Sequence, residues 1–179
     1  ITRRDFFKIT AASGALAAFA DIKGAKATIN KVVPNSDYCL EQKKEIPLIA
    51  DVDLIVIGGS SRAVAAATHA SKNGCSVFLI ASLPYLGDDI CGSFLCDVQE
   101  GETLHTALSR KLFFGRKDFC PLSDKTILEK ELIDNDVKFL YSSYVSDVLV
   151  ESSSLLRGVV IVNRSGRQAI RSKMIIDTT

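Results

Sequence analysis

The sequence predicts an α/β fold built on a parallel sheet, and three observations carry that expectation. A short apolar run, Val52 to Ile57, stops at two glycines. An alanine-rich segment, Arg62 to Asn73, follows and ends at Gly74, which supplies a left-handed helix stop. A second apolar run, Cys75 to Ile80, comes next. Strand, glycine turn, helix and strand in that order make a βαβ unit, and near-continuous apolar strands are those of a parallel sheet covered on both faces.

Composition sets the bounds. The chain has 179 residues, a formal net charge of +1 and 47% hydrophobic residues, the make-up of one globular domain with a real core. With 22 basic against 21 acidic residues, no single-sign field recruits nucleic acid or an anionic membrane. The cysteines, Cys39, Cys75, Cys91, Cys96 and Cys120, show no CxxC pair or zinc-ligand spacing, so no metal site is expected. A redox pair of Cys91 and Cys96 would need Cα atoms within about 7 Å, and the ordinary reading of cysteine is a small buried hydrophobe. The histidines, His69 and His105, offer little material for a histidine-based centre, and His69 falls within the predicted helix.

Ahead of the βαβ unit the sequence carries an address. Thr2 to Lys8 form a charged start containing Arg3 and Arg4. Ile9 to Ala20 form a short, weakly apolar run, and Ala25-Lys26-Ala27 reads as a cleavage site, with Ala18-Phe19-Ala20 as the alternative. About 12 apolar residues cannot span a bilayer that needs about 20, so no stable membrane span is expected. The adjacent arginines with Phe6, Phe7 and Lys8 resemble the twin-arginine export signal. That resemblance implies the twin-arginine translocation machinery as a partner and a periplasmic or otherwise exported location. Residues 1–27 are thus expected to be a signal peptide, and 28–50, which lack periodicity, a linker or surface arm. The fold is expected over 51–179.

The glycine turn has a physical purpose. A pyrophosphate must approach backbone at the end of the first strand and sit on free amides at the helix N-terminus, where the dipole favours negative charge. Gly58 fits the tight turn, Ser60 stands where the second glycine of G-x-G-x-x-G would be, and Ala63 replaces the third. The small Ser60 hydroxyl can donate to a phosphate, and Arg62 can add a charged contact. The second strand ends Leu79-Ile80-Ala81-Ser82, without the acidic residue that ordinarily receives the ribose hydroxyls; the next carboxylate is Asp88.

The run from Asp53 through the glycine turn, then Val77 to Ile80, then Pro84-Tyr85-Leu86-Gly87, resembles the FAD-dependent oxidoreductases with a glutathione-reductase-like flavin fold. Those enzymes place a Leu-Gly-Gly-type loop after the second strand, and Asp88 replaces its second glycine here. Val137 to Tyr141 reads as a strand after a helix, Ser123 to Asn135, with N-cap chemistry at Ser123 and Asp124. Asp147 to Glu151, Gly158 to Asn163 and Gln168 to Arg171 read as a β-meander with a turn at residues 163–167. Lys173 to Thr178 resembles the strand that leads into the family's Ala-Thr-Gly flavin motif, and the sequence stops at Thr179 before that motif is complete.

The resemblance implies a Rossmann-like sheet with FAD as cofactor and a small-molecule substrate. It places Gly58, Gly59, Ser60, Ser61, Arg62 and Ala63 toward the pyrophosphate, and Leu86 and Gly87 near the flavin. Ser82 falls at the ribose position and Val145 at the adenine edge. Leu104, Leu108, Leu112 and Phe113 fit a helix turning one face inward over Gly101 to Lys117, and His105 and Arg110 fall on its solvated face. No catalytic base is assignable. The expected activity is hydride transfer from a substrate to FAD, with the catalytic part largely outside this chain. The alternatives are an NAD(P)-dependent dehydrogenase, or a module that keeps the fold without the cofactor.

Overall fold

The computed structural model describes residues 31–32, 37, 39–40, 45–93, 103–114, 120–152 and 155–179. The expected signal segment and Cys96 lie outside them. Two compact units are formed, Ile1–Glu45 and Ile46–Thr179. Within the first, β1 (Lys31–Val32) pairs antiparallel with β2 (Cys39–Leu40).

The second unit runs β3 (Leu48–Ile57), α1 (Ser61–Lys72), β4 (Val77–Ile80), a π-helical turn (Asp88–Gly92), α2 (Ala107–Phe113), α3 (Pro121–Asp134), β5 (Lys138–Leu140), β6 (Tyr144–Ser152), β7 (Leu155–Asn163) and β8 (Gly166–Asp177). Its six-stranded sheet has the order β5-β4-β3-β8-β7-β6. Strands β5, β4, β3 and β8 are parallel, and β8, β7 and β6 form an antiparallel meander. This is the Rossmann-like fold with a β-meander that the sequence predicts.

Burial explains the composition of the strands. All of β4 is buried, as are Leu54, Ile55 and Val56 of β3, because the central strands are covered on both faces. On one face, Leu54, Val56, Val77 and Leu79 pack with Ala63, Val64 and Ala67 of α1 and Leu128 and Leu132 of α3. The small alanines let α1 lie close on the sheet. On the other face, Ile55, Phe78 and Ile80 join Val159 and Ile161 of β7 and Ile170 of β8 in a second core. The meander thus takes the place a second helical layer would have. Each large aliphatic side chain fully buried this way contributes about 2 kcal/mol.

The structure corrects three boundaries. β3 begins at Leu48, inside the segment expected to be a linker, because Leu48 and Ala50 pair with Ala169 and Ile170 of β8. α3 begins at Pro121, with Cys120 as its N-cap residue, so Ser123 and Asp124 lie inside the first turn and do not cap it. Proline at the first helical position brings a preset φ and lacks only an N–H that would have no helical partner. The strands expected at 168–171 and 173–178 are one continuous strand, β8, whose first half pairs with β7 and second half with β3, with Ala169, Ile170 and Arg171 pairing with both.

Shorter adjustments follow the same logic. Within the segment 101–117 the helix is α2, Ala107–Phe113, capped by a reciprocal pair in which Thr106 accepts from the Ser109 amide and Ser109 hydroxyl accepts from the Thr106 amide. Leu108 and Leu112 are buried as its spacing predicts. Arg110 donates to the Leu104 carbonyl, a local bond that fixes the approach to the helix. Gly74, at φ +86°, ends the turn after α1 as expected.

Candidate functional site

The C-terminal ends of the parallel strands carry the chemistry. From β3 the chain goes through α1 to β4 on one side, while β8 flanks β3 on the other. A crevice therefore opens at this reversal, the place where open α/β sheets bind ligands. A cleft of about 370 Å³ lies there. Its floor is Ile57, Gly58 and Ile80, one wall is Ser82 with Ser143 to Val145, and the opposite wall is Asp177 with Thr179.

The glycine turn sits at this floor for a steric reason. Gly58 has φ +128°, and a Cβ there would lie 2.2 Å from the Thr178 hydroxyl oxygen. That hydroxyl donates to the Ile57 carbonyl at 2.8 Å, and the Thr178 amide donates to the same oxygen at 2.9 Å. Gly59 is buried against Ala81, with its would-be Cβ 3.3 Å from the Ala81 methyl.

The amides at the start of α1 are largely committed. Ser60 is the N-cap, and its buried hydroxyl accepts from the Ala63 amide at 3.2 Å. The hydroxyl thus caps the helix as an acceptor while keeping its own proton to donate. Ser61 donates its amide to one oxygen of Asp89 at 2.8 Å and its hydroxyl to the other at 2.6 Å. A carboxylate at a helix N-terminus is favoured by the dipole and by the free amides there. Arg62 is exposed, and its amide is the one in the first turn left for an external anion among the described residues.

The loop that supplies Asp89 is clamped to the glycine turn. Gly87, at φ +80°, donates its amide to the Gly59 carbonyl at 2.7 Å. A Cβ on Gly87 would lie 2.7 Å from a Leu128 methyl, so close packing on α3 requires glycine. Leu86 is buried in the helical-side core. Both residues shape the site from beneath. Cys91 is also buried, in keeping with a hydrophobe's role, and its thiol faces the Pro121 carbonyl at 3.6 Å.

Of the residues expected at the site, the cleft brings together Gly58, Ser82 and Val145. Gly59, Ser60, Ala63, Leu86 and Gly87 are buried supports; Ser61 is held by Asp89; Arg62 stands on the surface. Sequence reading missed Asp177, Ser143 and Asp89 as site groups. Asp177 had a legible signal, a carboxylate ending an apolar strand. Asp89 had none, since its contact with Ser61 spans 28 residues. Ser143 is fixed by donating to the Tyr141 carbonyl and by accepting from Asn163, which ties the cleft wall to the β7–β8 turn.

Electrostatics at the cleft centre on Asp177. Hydrogen bonds from the Thr179 amide, at 3.0 Å, and hydroxyl, at 2.8 Å, reach one oxygen and hold its pKa below the usual carboxylate value. Beside the cleft, burial and then the nearby Glu129 charge push Tyr141 up to about 12, so it stays a neutral phenol. The cleft offers a dinucleotide a glycine floor and a backbone wall from the meander at Val145, and outside it the Arg62 amide stands beside the Asp89 carboxylate that already meets the α1 dipole.

Comparison with solved structures gives the same fold. The chain is similar to the THI4 protein of Thermovibrio ammonificans, at TM-score 0.54 and 17% identity, covering 72% of this chain and 57% of that one. It is similar to L-proline dehydrogenase from P. horikoshii, at TM-score 0.52 and 22% identity, covering 78% and 24%. A flavocytochrome c3 fumarate reductase aligns at TM-score 0.52 and 14% identity, covering 82% and 39%. The chain therefore spans less than three fifths of each of these proteins. Comparison with curated protein sequences finds no match. The sequence profile of the FAD dependent oxidoreductase family matches residues 53–179, the span that carries the glycine turn, the cleft and the meander. With that match over most of its length, the chain belongs to the FAD dependent oxidoreductase family.

Proposed function

We propose that this chain supplies the adenosine- and pyrophosphate-binding part of an exported flavoenzyme with a glutathione-reductase-like arrangement, which oxidises a small molecule by hydride transfer to FAD. The observation that carries it is the cleft at the strand reversal, walled by Ser82 and Val145 and floored by Gly58. FAD supplies the redox chemistry when bound, and the protein supplies orientation and charge. The backbone at Val145 offers an edge to the adenine, and the Arg62 amide with the α1 dipole offers a seat to a phosphate.

Export rests on Arg3, Arg4 and the short apolar run after them. The twin-arginine route carries folded proteins, which suits one that holds its cofactor before crossing. The experiment is purification of the full-length protein from the periplasm and from the cytoplasm, with flavin absorbance and release of FAD on denaturation as readouts. Flavin at near one per chain is expected. Protein with no flavin that instead retains NAD(H) overturns the reading in favour of the dehydrogenase alternative. Arg3→Lys with Arg4→Lys should leave flavin content intact and keep the protein in the cytoplasm; unchanged export removes the twin-arginine route.

A further inference from the structure

The second strand of this sheet ends without the acidic residue that ordinarily takes the ribose hydroxyls, leaving Ala81 and Ser82 at that point. A carboxylate nevertheless lines the same cleft from its other wall. Asp177 closes β8, the neighbour of β3 on the side opposite β4. Ser82 and Asp177 thus face one volume from the two flanks of Gly58.

The chemistry of Asp177 suits the task. Its Oδ1 accepts both bonds from Thr179, which fix the carboxylate in place. Its Oδ2 has no hydrogen-bond partner among the described residues, and the side chain is exposed to the cleft. A fixed, ionised acceptor open to a cleft is the arrangement that two vicinal hydroxyls recognise by donating to it. Ser82 can add a hydroxyl from across the cleft but no charge.

The geometry points to Asp177 as the ribose-recognition residue of this chain, a carboxylate carried on the last strand of the meander in place of the one absent from the end of β4. This rests on the reading of the cleft as the adenosine end of an FAD site. It makes recognition of the cofactor depend on β8 being in register with β3, which the usual arrangement does not require.

The test uses the full-length protein, stripped of flavin, with FAD, ADP and an ADP analogue lacking both free ribose hydroxyls as probes. Asp177→Asn keeps an oxygen for Thr179 and removes the charge at Oδ2. It is expected to weaken ADP and FAD by about 10-fold or more, the loss of a charge-assisted bond, and to leave the analogue's affinity unchanged. Ser82→Glu added to Asp177→Asn should recover ADP binding by restoring a carboxylate at the ordinary position. Equal weakening for ADP and for the analogue overturns the proposal, because it marks a merely structural effect. Unchanged ADP binding in Asp177→Asn overturns it too. FAD bound normally by wild type and variant alike defeats this inference and leaves the flavoenzyme reading standing. Wild type that binds ADP through Asp177 but no FAD does the reverse, and wild type that binds neither defeats both.

Discussion

Gly58 shows how narrow the tolerance of a single position can be. Its φ of +128° is outside the range of side-chain-bearing residues, and the volume a methyl would need is held by the Thr178 hydroxyl. Gly58→Ala is expected to cost about 2–4 kcal/mol, combining backbone strain with overpacking, and to lower the urea midpoint without changing the slope. A midpoint unchanged from wild type would mean that Thr178 and the end of β8 move aside freely. Its need for glycine was legible from the turn alone. The reason was not, because the steric partner, Thr178, lies far along the chain just past the end of β8, and the sequence pattern points to a phosphate as the group approaching it. Ser60 illustrates the same limit, since a small polar residue at the helix start is equally suited to touch a ligand or to cap the helix, and here it caps.

Among the elements, α1, α2 and α3 meet at Glu131, which is 4% exposed and bonded to Lys72 at 3.0 Å and to Lys111. Burial opposes its ionisation, but the hydrogen bonds from Lys111 and Lys72 outweigh it and hold its pKa below the ordinary value. A carboxylate whose folded pKa is depressed stabilises the fold above its unfolded pKa and loses that contribution as pH falls through the folded pKa. Both lysines are half exposed, so water screens the pair, and Glu131→Gln is expected to cost about 1–2 kcal/mol at neutral pH. Thermal midpoints of wild type and Glu131→Gln should then begin to converge as pH falls below the ordinary glutamate value and meet once it has passed the depressed folded pKa. A gap that does not narrow as pH falls would show that packing, not charge, makes the difference. At this scale the sequence was most readable where periodicity was strong: β4, α1 and the antiparallel hairpin of β7 and β8 stand where apolar runs and glycines put them. It was least readable where one strand serves two partners. Nothing in Gly166 to Asp177 marks the change from an antiparallel to a parallel neighbour, so a polar stretch around Arg171 to Lys173 looks like a break. Those charges instead meet Asp51 and Asp53 of β3 across the strand pair.

For the molecule as a whole, the cleft draws on β3, β4, β8 and the start of β6, so a ligand seated there holds elements from both ends of the second unit. A ligand that binds only the folded state at 100 times its Kd adds about 2.7 kcal/mol of stability. FAD is expected to raise the thermal midpoint of the full-length protein by several degrees, and FMN, which lacks the adenosine, far less. An equal rise with both would move the binding site away from this cleft. The pairing of β3 with β8 has a further consequence, in time rather than space. Their contacts join positions about 120 residues apart, as between Asp51 and Arg171, whereas β7 meets β8 through a tight turn. Pairings of high sequence separation are slow to form because the chain must first close a long loop. The meander can therefore assemble early and by itself, and the cleft is completed only when β8 docks on β3 late in folding. Occupancy of that cleft would then act as a timestamp, distinguishing chains that have finished folding from those that have merely collapsed.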